Sequence, residues 1–334
     1  GVAPGSRKNI VWRAELPNWG MSSPVVMGDQ VYVLTEPSRE FYAPQLLCHD
    51  VRTGKLLWQR PVDHLDAWPE TGSEGRPGRD EAKAMRAKEI LRWCDHKQWW
   101  NRFIWDNEAY GRKKLDDAAW DALCAEAREA GWEFPSAAKR KKVEFEAGRG
   151  KARIGIGPRG TFACPVDGAL VQNYHDCRKL GIHWHEGWET AGPWYGLTFG
   201  SVVGDGETIY AVTAFGGAAA FDADGKQRWV SNLDVRVNSA SHEIASPVIA
   251  GDTLVYWHYS MGTLYGVDRH SGELRWECLT PGMTKETRPV TPKHKKNVTG
   301  YSSHMMPGGT PVVMSLPDAA GKPVPVVVLS HGLV

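Results

Sequence analysis

Long apolar runs are missing from this chain. No stretch of eighteen or more apolar residues occurs in its 334 positions, and a helix needs about twenty to cross a bilayer. Excess charge of either sign is missing too. The 40 Lys and Arg residues nearly cancel the 39 Asp and Glu, leaving +1, so no global field gathers nucleic acid or an anionic membrane surface. The short motifs of common chemistries are also absent. There is no G-x-x-x-x-G-K-[ST] to cradle phosphate, no H-E-x-x-H to hold zinc and no G-x-S-x-G to present a nucleophile. None of the six cysteines is adjacent to another and no C-x-x-C-H occurs, which excludes an attached c-type haem. A secretory leader would already have been removed from a mature chain starting at Gly1.

What is present is repetition. Cys48 to Trp58 reads CHDVRTGKLLW, Ala220 to Trp229 reads AFDADGKQRW, and Gly266 to Trp276 reads GVDRHSGELRW. Each is an apolar strand ending in Asp, a Gly turn, and a second strand carrying Trp. Upstream of each lies a second matching run: SSPVVMGDQVYVLTE from Ser22, GSVVGDGETIYAVTA from Gly200 and ASPVIAGDTLVYWHY from Ala245. A fourth begins at Thr310 as TPVVMSLPDAAGKPVPVVVLSH. The strand segments are β-branched and aromatic and are separated by Gly-Asp or Thr-Gly turns. The unit therefore has four strands, called A to D here. Trp229 and Trp276 are 47 residues apart, and Trp12 and Trp58 are 46 apart. Four strands in that length make one blade of a β-propeller. The expected fold is all-β, with three complete blades, the first half of a fourth, and a lone D strand at Ile10 to Leu16. Since a closed ring needs more blades, the chain reads as part of a longer propeller, or as one whose lone strand pairs with strands beyond Val334. An open propeller exposes strand edges to partners.

The pattern A-x-D-x-x-T-G-x-x-x-W resembles the tryptophan-docking repeat of pyrroloquinoline-quinone-type β-propellers. Cys48 replaces the usual Ala in the first copy, the second shortens its turn to D-A-D-G, and Ser271 replaces Thr in the third. The resemblance covers residues 10–60 and 199–334. It implies that Trp58, Trp229 and Trp276 pack between blades and that the turn Gly supplies a positive φ. Relatives of this kind include exported bacterial proteins, scaffolds of outer-membrane assembly and quinone-dependent dehydrogenases. It therefore implies a periplasmic or extracellular protein. A fold shared this widely does not itself fix the function.

Residues 61–198 depart from the repeat. Trp58 and Trp229 are 171 residues apart, so about 124 are inserted relative to the period, between strand D of one blade and strand A of the next. Ten of the sixteen Trp residues lie in this segment. Asp63 to Arg79 reads as a Gly- and Pro-rich linker. A helix is expected from Glu81 to about Glu108, and a second from Leu115 to Ala130 with Leu115, Ala119, Leu123 and Ala127 on one face. Two basic stretches, Lys139 to Arg153 and Lys285 to Lys296, read as solvated loops. Cys48 and Cys278 lie in blade strands and read as small buried residues. Cys164 with Cys177, or Cys94 with Cys124, are possible bridges. Closing the first of these loops would stabilise by about 3 kcal/mol and would require an oxidising compartment.

In such a propeller the D-to-A loops gather on the channel face, where the resemblance places the quinone. The insert would lie over that face, and long loops on a rigid scaffold are where function concentrates. Trp19, Tyr195, His242 and His304, each from a different D-to-A loop, are the candidate ligand-binding residues. His183 and His185, inside the insert, alternate as paired metal ligands on a strand can. Asp176 and Glu186 are the nearby acids. The alternative is that these side chains satisfy loop backbone. The expected function is a non-catalytic binding or scaffolding propeller that recognises a protein or a saccharide-like ligand. The competing reading is a dehydrogenase using pyrroloquinoline quinone and calcium on alcohols or sugars, and a metal-dependent hydrolase or lyase ranks third.

Overall fold

The computed structural model describes residues 10–18, 20, 22–72, 77–88, 91, 116–130, 136–138, 198, 200–213, 217–232, 244–258, 263–279 and 310–329. Each sequence repeat forms one antiparallel sheet, as expected. Blade 1 is β1 (Val25–Met27), β2 (Gln30–Thr35), β3 (Gln45–Asp50) and β4 (Leu56–Pro61). After it come the 3-10 turn η1 (His64–Ala67), helix α1 (residues 79–88) and helix α2 (Asp117–Glu129). Blade 2 is β5 (Val203–Gly204), β6 (Thr208–Val212), β7 (Gly217–Asp222) and β8 (Gln227–Asn232). Blade 3 is β9 (Val248–Ala250), β10 (Thr253–His258), β11 (Thr263–Asp268) and β12 (Leu274–Leu279). A hairpin of β13 (Val312–Pro317) and β14 (Pro323–Val328) forms the start of a fourth.

The first strands of successive blades lie together. β5 contacts β9 and β9 contacts β13. The Ser23 N–H donates to Ser201 Oγ at 3.0 Å, and the Ser201 N–H donates to Ser246 Oγ at 2.9 Å. The A strands therefore converge and the D strands face outward. The middle strands are buried because neighbouring blades stack face to face, blade 1 against blade 2 and blade 3 against the β13–β14 hairpin. β7 meets this demand with Ala218, Ala219 and Ala220, all fully buried, which lets neighbouring sheets approach closely.

The repeated Trp holds blade to blade. Trp12 Nε1 donates to the Val51 carbonyl, Trp58 Nε1 to Ala223 and Trp229 Nε1 to Arg269, each at 2.8 Å. Each acceptor lies in the turn between strands C and D of the next blade. That turn is built by its own Asp. Asp50 Oδ1 accepts the N–H groups of Arg52 and Thr53, and Asp268 Oδ1 those of His270 and Ser271. The turn Gly is required twice over. Gly225 has φ +77°, and a Cβ added there would lie 2.6 Å from Cδ2 of Trp58. Gly54 and Gly272 meet Trp12 and Trp229 in the same way, at 2.5 Å. Between blades 1 and 2, Trp58 packs with Tyr32, Leu34, Leu46 and Phe221.

A bulge follows the residue opposite each Trp: Cys48, Ala220 and Gly266. The bulge adds twist to the outer strand, and the ring then lies over its cross-strand partner. That partner must be small. A Cβ on Gly266 would lie 2.1 Å from Trp276 Cε2.

Several expectations need revision. Residues 10–16 form no strand. Trp12 docks there as the repeat requires, but no neighbouring ladder pairs with its backbone among the described residues. The buried face of α2 is Trp120, Leu123, Cys124 and Ala127, while Ala119 is exposed; the bulky Trp120 takes the inward position instead. Cys278 is exposed, on the outer strand of blade 3. Cys48 is buried as expected, and that burial, partly offset by the Tyr32 hydroxyl, pushes its thiol up to about 11. Thiolate is the reactive form. We therefore expect iodoacetamide at pH 8 to label Cys278 in the native protein and to leave Cys48 unlabelled until denaturant is added, with peptide mass mapping as the readout. Native labelling of Cys48 would contradict the packing of blades 1 and 2. Cys94, Cys164 and Cys177 lie outside the described residues.

Candidate functional site

Within each blade, the A–B and C–D turns point to one side and the B–C and D–A connections to the other. The insert leaves from this second side, directly after β4. Its opening is a docked structure and not the linker that its composition suggests. Asp63 caps η1, accepting the Leu65 N–H at 2.9 Å. Its two oxygens receive Arg86 of α1 in a bidentate pair, Nη1 to Oδ1 at 2.8 Å and Nη2 to Oδ2 at 2.7 Å. Both partners are buried. Leu65, Trp68 and Ala82 form a small core with Met85 beside it. Trp68 Nε1 donates to the Pro77 carbonyl, and Arg79 Nε returns a bond to the Trp68 carbonyl. Pro77 and Gly78, read as chain-breakers, thus lie folded back against Trp68 and Glu70.

This root is wedged against blade 2. η1 contacts β7 and β8, and a Cβ on Gly217 would lie 2.4 Å from Cβ of His64. The far end of the insert is tied as well. Thr198 donates its N–H at 2.8 Å and its hydroxyl at 2.5 Å to Glu36 Oε1, and both residues are fully buried. Two carboxylates, Asp63 just after β4 and Glu36 just after β2, therefore anchor the two ends of the insertion. Burial pushes the Asp63 carboxyl up. The two bonds and the charge of Arg86, nearby His64 and the Leu65 N–H outweigh that and hold it below its ordinary value.

Between the B–C connection of blade 1 and α1 lies an open cleft of about 510 Å³. One wall is Phe41 and Tyr42. They follow a tight turn in which Ser38 donates its N–H to the Phe41 carbonyl and accepts the N–H groups of Glu40 and Phe41. The opposite wall is Lys83 and Arg86, and Gln45, Gln59 and Asp63 contribute the floor. Most polar groups here are already engaged. Gln59 Nε2 donates to Gln45 Oε1 at 3.1 Å, and Lys83 Nζ sits 2.5 Å from Asp66 Oδ1 and 3.8 Å from Asp63 Oδ2.

Trp19, Tyr195, His242 and His304, and with them His183, His185, Asp176 and Glu186, lie outside the described residues. Their described neighbours mark the same side of the propeller. Asn18 Nδ2 donates to the Pro37 carbonyl, and Gly20 lies so close to β2 that a Cβ would meet the Leu34 carbonyl. The described anchors went unread in the sequence. Glu36 had a faint signal: it ends the apolar run VYVLTE where the later copies have Ala214 and Tyr259. Asp63 and Arg86, 23 residues apart, had none. No group of three His, Cys, Asp or Glu able to hold a metal gathers among the described residues, and one oxygen of Glu36 already serves Thr198.

Comparison with known proteins agrees with the repeats. The family model described as "Outer membrane protein assembly factor BamB" matches residues 181–309. BamB from Moraxella catarrhalis is 32% identical over 27% of this chain and 26% of its own, with a TM-score of 0.21. The quinohemoprotein alcohol dehydrogenase from Comamonas testosteroni is 12% identical over 78% of this chain and 21% of its own, with a TM-score of 0.32. A europium-containing methanol dehydrogenase is 11% identical over 81% and 28%, with a TM-score of 0.30. The chain thus spans about a quarter of the length of each of these proteins. The comparison with curated proteins gave no match. With the fold resting on its own four-stranded blades and their Trp-to-turn docking, and with the family match lying across blades 2 and 3, the chain is an all-β propeller of pyrroloquinoline-quinone-like repeats.

Proposed function

We propose that this propeller is an exported binding scaffold and that its insert-bearing face holds a protein partner. The observation that carries this reading is the cleft between Tyr42 and α1. It is open, walled by aromatic rings and side-chain methylenes, and fixed in shape by the buried Asp63–Arg86 pair. Rigid, partly apolar clefts on a repeat scaffold suit recognition. A protein segment fits this cleft better than a saccharide-like ligand does. The floor amides bond to one another and the cations face carboxylates, which leaves few free groups for sugar hydroxyls. The matching family model describes an assembly factor, which supports a scaffold and an exported setting for this chain. Among the described residues no helix is long and apolar enough to cross a membrane.

The test is a titration of the intact protein with pyrroloquinoline quinone and calcium, reading Trp fluorescence and dye reduction with alcohols and aldoses. A binding scaffold gives neither saturable quinone binding at micromolar concentration nor turnover. Saturable binding with alcohol- or sugar-dependent dye reduction would make the protein a dehydrogenase and overturn the proposal.

A further inference from the structure

We propose that the cleft beside blade 1 receives a basic side chain, arginine or lysine, from an extended segment of the partner. This rests on reading the face as a protein-binding surface and adds the chemistry of what it takes. The charges lining the cleft are unevenly matched. Arg86 is neutralised by Asp63, and Lys83 by Asp66. Glu40 lines the same cleft, is exposed, and its carboxylate meets no cation among the described residues. The next two residues are Phe41, half-buried, and Tyr42, 39% exposed.

A free carboxylate beside one exposed and one half-buried aromatic ring is the surrounding a guanidinium or ammonium prefers. The carboxylate accepts charge-assisted hydrogen bonds, the ring faces attract the cation, and the alkyl stem lies along apolar surface. An acidic side chain would be repelled by Glu40 and would find both cations already paired. The Ser38 turn holds Glu40, Phe41 and Tyr42 in place before anything binds, so little ordering is lost on association.

The test titrates the intact protein with two capped peptides, acetyl-Gly-Leu-Arg-Leu-Gly-amide and the same peptide with neutral citrulline for arginine, using calorimetry. The arginine peptide is expected to bind saturably and about tenfold more tightly than the citrulline peptide, the factor that one charge-assisted contact supplies. Glu40→Gln, at an exposed position that folding does not depend on, should remove most of that difference. Tyr42→Ala should weaken both peptides. Equal binding of the two peptides, no binding of either at millimolar concentration, or an unchanged ratio in Glu40→Gln would overturn the inference. Partner crosslinking at Tyr42 alongside equal peptide binding would overturn only the basic-side-chain inference. Loss of both would overturn the protein-binding reading as well.

Discussion

Arg86→Met should release the root of the insert while leaving the blades folded. The substitution strands the Asp63 carboxylate in a buried site, and removing one partner of a buried ion pair costs about 3–5 kcal/mol. Both side chains are nearly inaccessible, at 6% and 10% exposure, so solvent screening does not soften the loss. The effect is local, because Arg86 and Asp63 meet beyond the end of β4 and the Trp contacts between blades lie on the opposite side. Hydrogen exchange should therefore accelerate across residues 64–68 and 79–88 and stay slow in β2, β3, β6 and β7. Asp63→Asn combined with Arg86→Met should recover much of the loss. The buried charge is then gone, and the amide oxygen still caps Leu65. The same pair sets a pH dependence. Because the Asp63 carboxyl is held below its ordinary value, docking is at full strength above the unfolded value of about 4. It is lost as pH falls through the lower folded value. A mutant whose exchange rises equally in blades and insert would show that the anchor is part of the propeller core.

Gly225→Ala should damage the propeller about as much as removing Trp58 itself. Trp58→Ala deletes a ring that is 8% exposed and packed against Tyr32 and Phe221. Deleting a large buried aromatic costs about 3–5 kcal/mol. Gly225→Ala places a methyl 2.6 Å from that ring at a φ of +77°. Left-handed backbone costs about 1–2 kcal/mol for an ordinary residue, and the ring must also move from its seat. Gly28→Ala is the control. Its φ is +57° but nothing lies within 4 Å of the added methyl, so only the backbone cost applies. The two changes at the docking site share one contact, so the Gly225→Ala, Trp58→Ala double mutant should lose less than the sum of its singles. Urea unfolding of the wild type and the four variants measures all of this. Equal effects of Gly225→Ala and Gly28→Ala would contradict the docking geometry.

The blades were legible because one interaction is written several times. Asp builds the turn, Gly gives the turn room, and Trp reads the next turn, so spacing, residue type and partner repeat together. Even the departures carry meaning: Cys48, Ala220 and Gly266 all stand opposite Trp because the bulge leaves no space there. The anchors of the insert were hidden for the opposite reason. Each is made once, between residues without periodic spacing: Asp63 with Arg86, Glu36 with Thr198, His64 with Gly217. The stretch from Asp63 to Arg79 looked like a linker because Gly and Pro mark turns whether or not the turn is buried. Burial there comes from Leu65 and Trp68 against α1, a tertiary fact with no local signal. The cleft was hidden too, since its walls come from a B–C connection and a helix some forty residues apart.

The most direct test of the account is photo-crosslinking in the producing cell. The intact protein carries benzoylphenylalanine at Tyr42 or at Asp224, an exposed turn residue on the opposite side of the propeller. The expected result is one discrete protein adduct from position 42 that is lost in Arg86→Met, with no matching adduct from position 224. The same adduct from both positions, or none from position 42 in a protein that turns over alcohols with quinone and calcium, would contradict a binding scaffold whose partner sits on the insert-bearing face.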